Sequence, residues 1–294
     1  MKFEAVKITQ VIEQNFSHLM PDFYEMQTEY LASLNIIYDD LDASLVAMVL
    51  TNFLYKEQLN KKYMSINDFS FKNFYKKDKF KLPVSSFKIK DVSKLLNLPR
   101  ETVRRKKEKL IKDQIIILDK KNKIYILNTA KIDRKIIENH INNLSKFLSK
   151  FSAYFSKNKF LINEVTKDEI KKDVDKKFLI YLTKFLDFQI SYFANLKSIL
   201  DIESIFISLL CNLNTLSSSS KSKNEPLNTK DLFYKMHELN SSFGLNATSI
   251  AEITKIPRTT VLRKISKLEK IGQIKKDKFK RYAPDNLSKA QCGK

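Results

Sequence analysis

A twelve-residue segment occurs twice in this chain of 294 residues, at residues 99–110 and 257–268, and it limits the folds that the chain can adopt. Both copies open with proline and then carry valine and leucine two helical turns apart. Eight of the twelve positions are identical: Pro99 and Pro257, Arg100 and Arg258, Thr102 and Thr260, Val103 and Val261, Arg105 and Arg263, Lys106 and Lys264, Lys109 and Lys267, and Leu110 and Leu268. The chain must therefore accommodate two basic amphipathic helices of the same kind.

The similarity continues upstream of each segment, which indicates that a whole structural unit is duplicated. The upstream matches keep the same order in both halves of the chain: Gln27 and Gln189, Tyr30 and Tyr192, Leu31 and Phe193, Ala32 and Ala194, Leu34 and Leu196, Leu41 and Leu200, Asp42 and Asp201, Phe87 and Leu245, Val92 and Ile250, Leu95 and Ile253, and Leu98 and Ile256. Small insertions in loops are enough to explain the slight changes in spacing between the matched residues.

Apolar periodicity predicts two scaffold helices in each copy, ahead of the repeated segment. They are expected at about residues 17–38 and 42–58, and again at about 174–199 and 201–216. The predicted fold class is mainly α: a tandem duplication of a helical unit that ends in a winged helix-turn-helix with a small β-hairpin wing.

Three segments follow from this register. They are residues 1–130, the first helical plus winged-helix unit with its helix-turn-helix at about 87–128; residues 131–165, a connecting amphipathic helix; and residues 166–294, the second unit with its helix-turn-helix at about 245–283.

The first winged helix is expected to begin with a short helix at residues 91–96, in which Val92, Leu95 and Leu96 point inward. Asn97 suits the turn that follows, because asparagine tolerates the left-handed conformation. The basic helix then runs to about residue 112.

Strands at residues 114–118 and 123–127 are expected to pair as the wing, because their isoleucines fit a half-buried sheet. The second copy repeats the helices at residues 249–254 and 257–271. The apolar stripe of its basic helix is expected to point inward: Val261, Ile265, Leu268 and Ile271.

The chain is strongly basic, with a net charge of +21 at pH 7. Residues 1–57 hold nine acids and three lysines, residues 99–112 hold seven bases and two acids, and residues 255–282 hold eleven bases and two acids. Positive charge is thus concentrated on the two repeated segments, which favours the phosphate backbone of a nucleic-acid duplex as the partner.

An α-helix fits the major groove of DNA, where the residues of its N-terminal turns reach the base edges. The candidates for base reading are Arg100, Glu101, Arg104, Arg105, Arg258, Thr259 and Arg263. Residues farther along each helix and in the wings would contact phosphates and add affinity without sequence information. These phosphate candidates are Thr102, Lys106, Lys109, Lys121, Lys123, Thr260, Lys264, Lys267, Lys278, Lys280 and Arg281.

The first basic helix resembles the recognition helix of the cyclic-AMP receptor/Fnr family of bacterial regulators. That family carries Arg-Glu-Thr-Val-x-Arg, which is matched here by Arg100, Glu101, Thr102, Val103 and Arg105. The resemblance covers about residues 87–128 and, more loosely, 245–283. It implies that the two arginines and the glutamate contact bases.

The chain departs from that family at several positions. Pro99 and Pro257 replace the small polar cap, Thr259 replaces the glutamate, and Lys107 occupies a position that is normally apolar. A glycine-rich nucleotide-binding barrel is not visible, so regulation by a cyclic nucleotide is not carried over.

Catalysis and cofactors are not expected. His18, His140 and His237 lie far apart, with no ligand spacing around them. The cluster of Asp39, Asp40 and Asp42 could suggest a metal site, but capping of the following helix is the favoured interpretation. The phenylalanines and tyrosines could stack on single-stranded bases, but their helical spacing favours core packing. We therefore predict a protein that is not an enzyme and has no cofactor and no metal.

The two cysteines, Cys211 and Cys292, form no disulfide framework, which fits a reducing cytoplasm. The chain shows no signal peptide and no apolar run long enough to span a bilayer. A cytoplasmic protein without a membrane partner is expected.

These observations predict a sequence-specific protein that binds double-stranded DNA and regulates transcription. Two winged helices on one chain could act as a pseudo-dimer, and a homodimer is also open, as is a small-molecule effector. Two alternatives remain. One is a plasmid-type replication initiator, a class that also carries tandem winged helices; the other is a structural winged-helix protein of a chromosome-associated assembly, whose helices dock proteins.

Overall fold

The computed structural model describes residues 5–60, 69–75, 80–220, 228 and 244–285. These residues form a mainly α fold with twelve α-helices and two small antiparallel sheets, which confirms the predicted class at that level. The helices are α1 (Ala5–Gln14), α2 (Phe16–Tyr38), α3 (Leu41–Leu59), α4 (Phe71–Phe74), α5 (Ile89–Leu96), α6 (Arg100–Lys112), α7 (Arg134–Lys157), α8 (Lys167–Lys176), α9 (Phe178–Lys197), α10 (Ile202–Ser220), α11 (Ala247–Thr254) and α12 (Arg258–Lys270). The strands are β1 (Lys81–Pro83), β2 (Ile116–Asp119), β3 (Ile124–Leu127), β4 (Ile274–Lys276) and β5 (Tyr282–Pro284).

The helices predicted from periodicity are confirmed. The scaffold helices are α2, α3, α9 and α10, with ends shifted by a few residues, and the connecting helix is α7. Residues 167–176 form a separate helix, α8, because the backbone leaves the helical region at Lys177, where φ is −114° and ψ is 32°.

The described elements belong to two compact units. The first-motif unit comprises residues 33–141 and 171–202, and the second-motif unit comprises residues 1–32, 142–170 and 203–294. Each unit combines segments from both halves of the chain, whereas the segments predicted from the repeat follow chain order. The first repeated segment therefore shares a unit with α9, and the second shares a unit with α1.

Helix α3 is the centre of the first-motif unit. Its residues 43–50 are all buried, so this helix is apolar on every side and packs against several neighbours. Asp40 caps its N-terminus, since a carboxylate oxygen accepts a hydrogen bond of 2.9 Å from the backbone N–H of Ala43. The capping role predicted for the acidic cluster is thus confirmed at Asp40.

A cluster of aromatic rings fills the end of the same unit. Tyr55 on α3 contacts Phe74 and Phe80 edge-on, with ring centroids 5.9 and 4.9 Å apart. Phe71 and Phe74 in turn contact Phe178 at 5.0 and 5.1 Å. Edge-to-face packing of this kind adds to the hydrophobic contribution of each ring, and it confirms the predicted core role of these aromatics.

His140 is expected to make this unit less stable in mild acid. Its ring lies 4.3 Å from the ring of Phe185, and burial lowers the pKa of His140 to about 4. The unfolded chain, with a histidine pKa near 6.5, binds the proton more readily than the folded one, so stability present above pH 6.5 is lost as the pH falls towards 4. The loss is up to about 3 kcal/mol.

Chemical unfolding at several pH values tests this expectation. A His140→Phe variant keeps an aromatic ring but does not titrate, so its stability should fall less steeply than that of the wild type between pH 6.5 and 4. Parallel curves for the two proteins would show that His140 is not the titrating group.

In the second-motif unit, helix α2 packs against α10 and pairs with α7. Leu216 on α10 is buried against Phe16, Met20 and Tyr24 on α2. In the same unit, Asp22 on α2 accepts hydrogen bonds from two lysines of α7, Lys146 at 2.9 Å and Lys150 at 2.7 Å. This unit therefore contains both apolar and charged contacts between segments that are distant in sequence.

Candidate nucleic-acid interface

The first motif consists of residues 81–127, which fold as two helices joined by a tight turn and followed by a hairpin. Asn97 adopts the left-handed conformation in the turn, with φ of 49° and ψ of 46°, as predicted. Helix α6 begins at Arg100, directly after Pro99. Strands β2 and β3 form the predicted hairpin, and β1 adds a third strand on β3, giving the order β1-β3-β2.

The second motif consists of residues 244–285 and has the same sequence of elements. Asn246 caps α11 by accepting a hydrogen bond of 2.8 Å from the N–H of Ser249. Lys255 holds the left-handed turn position, with φ of 59°, and α12 begins at Arg258. In place of a full third strand, Leu245 forms a single bridge to Tyr282.

The inward stripes of the two basic helices are largely as predicted. Val103 and Leu110 are buried in α6, and Val261, Ile265 and Leu268 are buried in α12. Two predictions are wrong. Leu95 is 42% exposed because Val92 and Leu96, one turn apart, already form the buried face of the short helix α5, and Ile271 is 47% exposed because it lies just beyond the end of α12.

The predicted base-reading arginines lie exposed at the N-terminal ends of α6 and α12. Within the part of the chain that the structure describes, Arg100, Arg105 and Arg263 have no carboxylate within 4.0 Å of their guanidinium groups. Arg258 makes a long hydrogen bond of 3.4 Å to the hydroxyl of Thr248 and is otherwise open to solvent. Thr259 is also exposed.

Glu101 and Arg104 bind each other. The Nε of Arg104 donates to Glu101 at 3.0 Å and its Nη2 donates at 2.7 Å, so the contact is bidentate. The hydrogen bond lowers the pKa of Glu101 and raises that of Arg104. Both groups are exposed and screened by water, so the pair is weak enough to exchange for base edges.

Lys106 and Lys264 point towards the scaffold helices, in contrast to the arginines. The Lys106 ammonium donates to a carboxylate oxygen of Asp40, and its side chain is 15% exposed. The matched Lys264 lies 2.7 Å from Glu203 in the first turn of α10, and its side chain is 14% exposed. In both motifs the same lysine of the basic helix therefore pairs with an acid at the start of the second scaffold helix.

This placement does not favour the predicted phosphate contacts of Lys106 and Lys264, because each ammonium group already has a carboxylate partner. Lys109 is engaged in the same way: it donates to the backbone carbonyl of Tyr38 at 3.1 Å and to Asp113 at 2.6 Å. The hydrogen bond that Lys109 donates to Asp113 raises the pKa of Lys109. Sequence reasoning missed Asp40 and Glu203 as the residues that hold the basic helices. These two acids are not matched in the repeat, since Asp40 aligns with Ile199 and Glu203 with Ser44, so the register carries no signal for the pairing.

The remaining phosphate candidates divide by exposure. Lys121, Lys123, Lys267, Lys278 and Lys280 are exposed, and four of them lie in the hairpins. Thr102 and Thr260, the third residue of each basic helix, are half-buried. Arg281 is also half-buried, since its Nε donates to Asp277 at 2.7 Å.

The described residues offer little support for a metal site, a catalytic cysteine or a membrane-spanning helix. They contain no group of three or more histidine, cysteine or acidic side chains that could hold a metal ion. Cys211 is buried, and burial raises the pKa of its thiol to about 12, so it is unsuited to act as a nucleophile. His237 and Cys292 lie outside the described residues. No single helix in the described residues is long and apolar enough to cross a membrane; α9 and α10 meet that composition only when taken together.

No family model, curated protein or solved structure matches the chain. The geometry of the two motifs and the charge on their exposed faces are therefore the observations from which a function can be inferred.

Proposed function

We propose that the chain is a sequence-specific double-stranded DNA-binding protein that regulates transcription through two winged helix-turn-helix modules, produced by tandem duplication. One observation carries this proposal: matched helices in the two motifs expose arginines at their N-terminal ends, at Arg100, Arg105, Arg258 and Arg263. A guanidinium group without a protein partner can bond O6 and N7 of guanine together, which contributes about 1–3 kcal/mol of discrimination per contact.

The division of labour on each helix supports this function. Arg100, Arg105 and Arg263 have no carboxylate within 4.0 Å among the described residues and are available to read bases, while Lys106 and Lys264 hold each helix to the scaffold. A recognition helix must be held rigidly, because small displacements misalign bidentate hydrogen bonds. Exposed hairpin lysines such as Lys121 and Lys280 would then contact flanking phosphates.

The two modules are expected to read unlike half-sites. Glu101 in α6 corresponds to Thr259 in α12, and Arg104 corresponds to Leu262, which is 37% exposed. Glutamate can accept from cytosine N4 and leucine can contact the thymine methyl group, so the two helices present different chemistry to the major groove.

Selection of bound duplexes from a random DNA library, followed by footprinting, tests both the function and this asymmetry. We expect one preferred site with two different halves, bound by one chain. A symmetric palindrome bound by a dimer, with the second module dispensable, would contradict the asymmetry. Weak, salt-sensitive binding to all sequences alike would instead indicate helices that dock proteins.

A further inference from the structure

The tip of the second hairpin carries an exposed aromatic ring. Phe279 lies between β4 and β5 and is 61% exposed. Its flanking cations contact the ring faces: the Lys278 ammonium lies 5.1 Å and the Arg281 guanidinium 4.9 Å from the ring centroid. Lys280 beside it is exposed as well. The large apolar side chain of Phe279 is therefore exposed to solvent and lies among positively charged side chains.

The turn that presents this ring is preorganised. One carboxylate oxygen of Asp277 accepts from the backbone N–H of Phe279 at 2.8 Å and from that of Arg281 at 2.9 Å. The other oxygen accepts from the Arg281 side chain. Lys280 completes the turn in the left-handed conformation, with φ of 60°. The ring thus projects from a fixed loop, which reduces the entropy lost on binding.

The first hairpin also begins its turn with an aspartate, but the hydrogen bonds of that turn and its tip are different. Asp119 accepts from the N–H of Asn122 at 3.0 Å, and Lys123 takes the left-handed position with φ of 52°. In the repeat register, Lys121 stands where the second hairpin has Phe279. The aromatic tip is therefore present in the second module and replaced by a lysine in the first.

We infer, on the basis of the proposed function, that Phe279 is a wedge that enters the minor groove beside the site read by α12 and partly unstacks one base-pair step. Strand β4 follows α12 closely, so a helix seated in the major groove brings the hairpin tip to the phosphate ridge and the minor groove beyond it. Lysine and arginine side chains can pair with the phosphates of this ridge, whereas a phenylalanine ring can insert between two base pairs.

An anionic membrane surface is the other acidic partner for an aromatic and basic loop. A single ring presents little apolar area compared with the wide apolar face of an interfacial helix. The loop lies close in sequence to α12, whose arginines are exposed, and this position favours DNA as the partner.

The test uses the full chain and the duplex recovered by library selection. Donor and acceptor dyes at the duplex ends report bending, and 2-aminopurine placed at successive steps reports unstacking. The wild type should bend the duplex by roughly 20–90° and brighten one 2-aminopurine position in the half read by α12. Phe279→Ala should abolish both signals and weaken binding by about fivefold or more.

Two variants serve as matched controls. Phe279→Lys gives the second hairpin the tip of the first and should also leave the duplex straight, and Lys121→Ala should weaken binding without changing the bend. Equal bending and 2-aminopurine signals in the wild type and Phe279→Ala would overturn the wedge, as would a Phe279-dependent affinity for phosphatidylserine vesicles with unchanged DNA binding. Failure of the wild type to select any duplex would overturn the proposed function instead.

Discussion

An Arg105→Ala variant is expected to lose discrimination at one base pair while retaining most of its affinity for unrelated DNA. The Arg105 guanidinium is exposed and has no carboxylate within 4.0 Å among the described residues, so it is available for a bidentate contact with guanine. Loss of such a contact removes about 1–3 kcal/mol of preference, which is roughly a 5- to 150-fold change in the affinity ratio between the right and wrong base.

Competition binding against a set of single-base variants of the selected site measures this ratio. Lys121→Ala is the matched control in the same module: it should weaken binding to all sequences about equally and reduce the dependence on salt by about one phosphate contact. If Arg105→Ala shifted the affinity uniformly across the variants, its assignment to base reading would be wrong.

Replacement of Asp40 by alanine is expected to be among the most destabilising changes near the first module. Asp40 pairs with the mostly buried Lys106 ammonium and also caps α3. Removal of one partner leaves a poorly hydrated charge, and the lost cap adds to the effect, so we expect a loss of about 3 kcal/mol. Urea unfolding measures this loss.

Asp40→Asn separates the two roles, because the amide oxygen can still cap α3 while the charge is removed. We expect Asp40→Asn to lose less stability than Asp40→Ala, and the double variant with Lys106→Met to recover part of the loss. Additive effects of Asp40→Asn and Lys106→Met would show that the two side chains do not interact. Glu203→Gln with Lys264→Met repeats the comparison in the second module.

The same lysine variants decide between positioning and phosphate contact. If Lys106 positions the recognition helix, Lys106→Met should weaken specific binding while leaving the salt dependence unchanged. A reduction of the salt dependence by about one contact, as expected for Lys121→Ala, would instead support the phosphate role predicted from the sequence.

The sequence predicts the local elements well where one residue decides the conformation. Asn97 and Pro99 mark the turn and the start of α6, and both are confirmed. Lys255 takes the same left-handed turn in the second motif although lysine carries no such signal, so only the repeat register indicates it. Strand β1 was missed because Leu82 is its single apolar residue and its existence depends on pairing with β3.

Tertiary relations are harder to predict from the repeat. Lys106 and Arg105 are neighbours in a run of bases, and composition alone cannot show that one faces Asp40 and the other faces solvent. The register likewise shows which segments correspond, but not which copy of a helix packs in which unit. Helix α9 belongs with the first motif because its Asp187 accepts hydrogen bonds from Asn52 and Lys56 of α3.

Because each unit combines segments that are distant in sequence, the contacts of the second-motif unit form at different times during synthesis on the ribosome. The first 32 residues belong in one unit with residues 203–294, so the partners of Phe16 and Met20 emerge late. At about 5–20 residues per second, the intervening stretch of about 170 residues takes roughly ten to thirty seconds to translate. Helix α7, which pairs with Asp22, emerges within that interval, but Phe16 and Met20 stay without their Leu216 contact until α10 has been made.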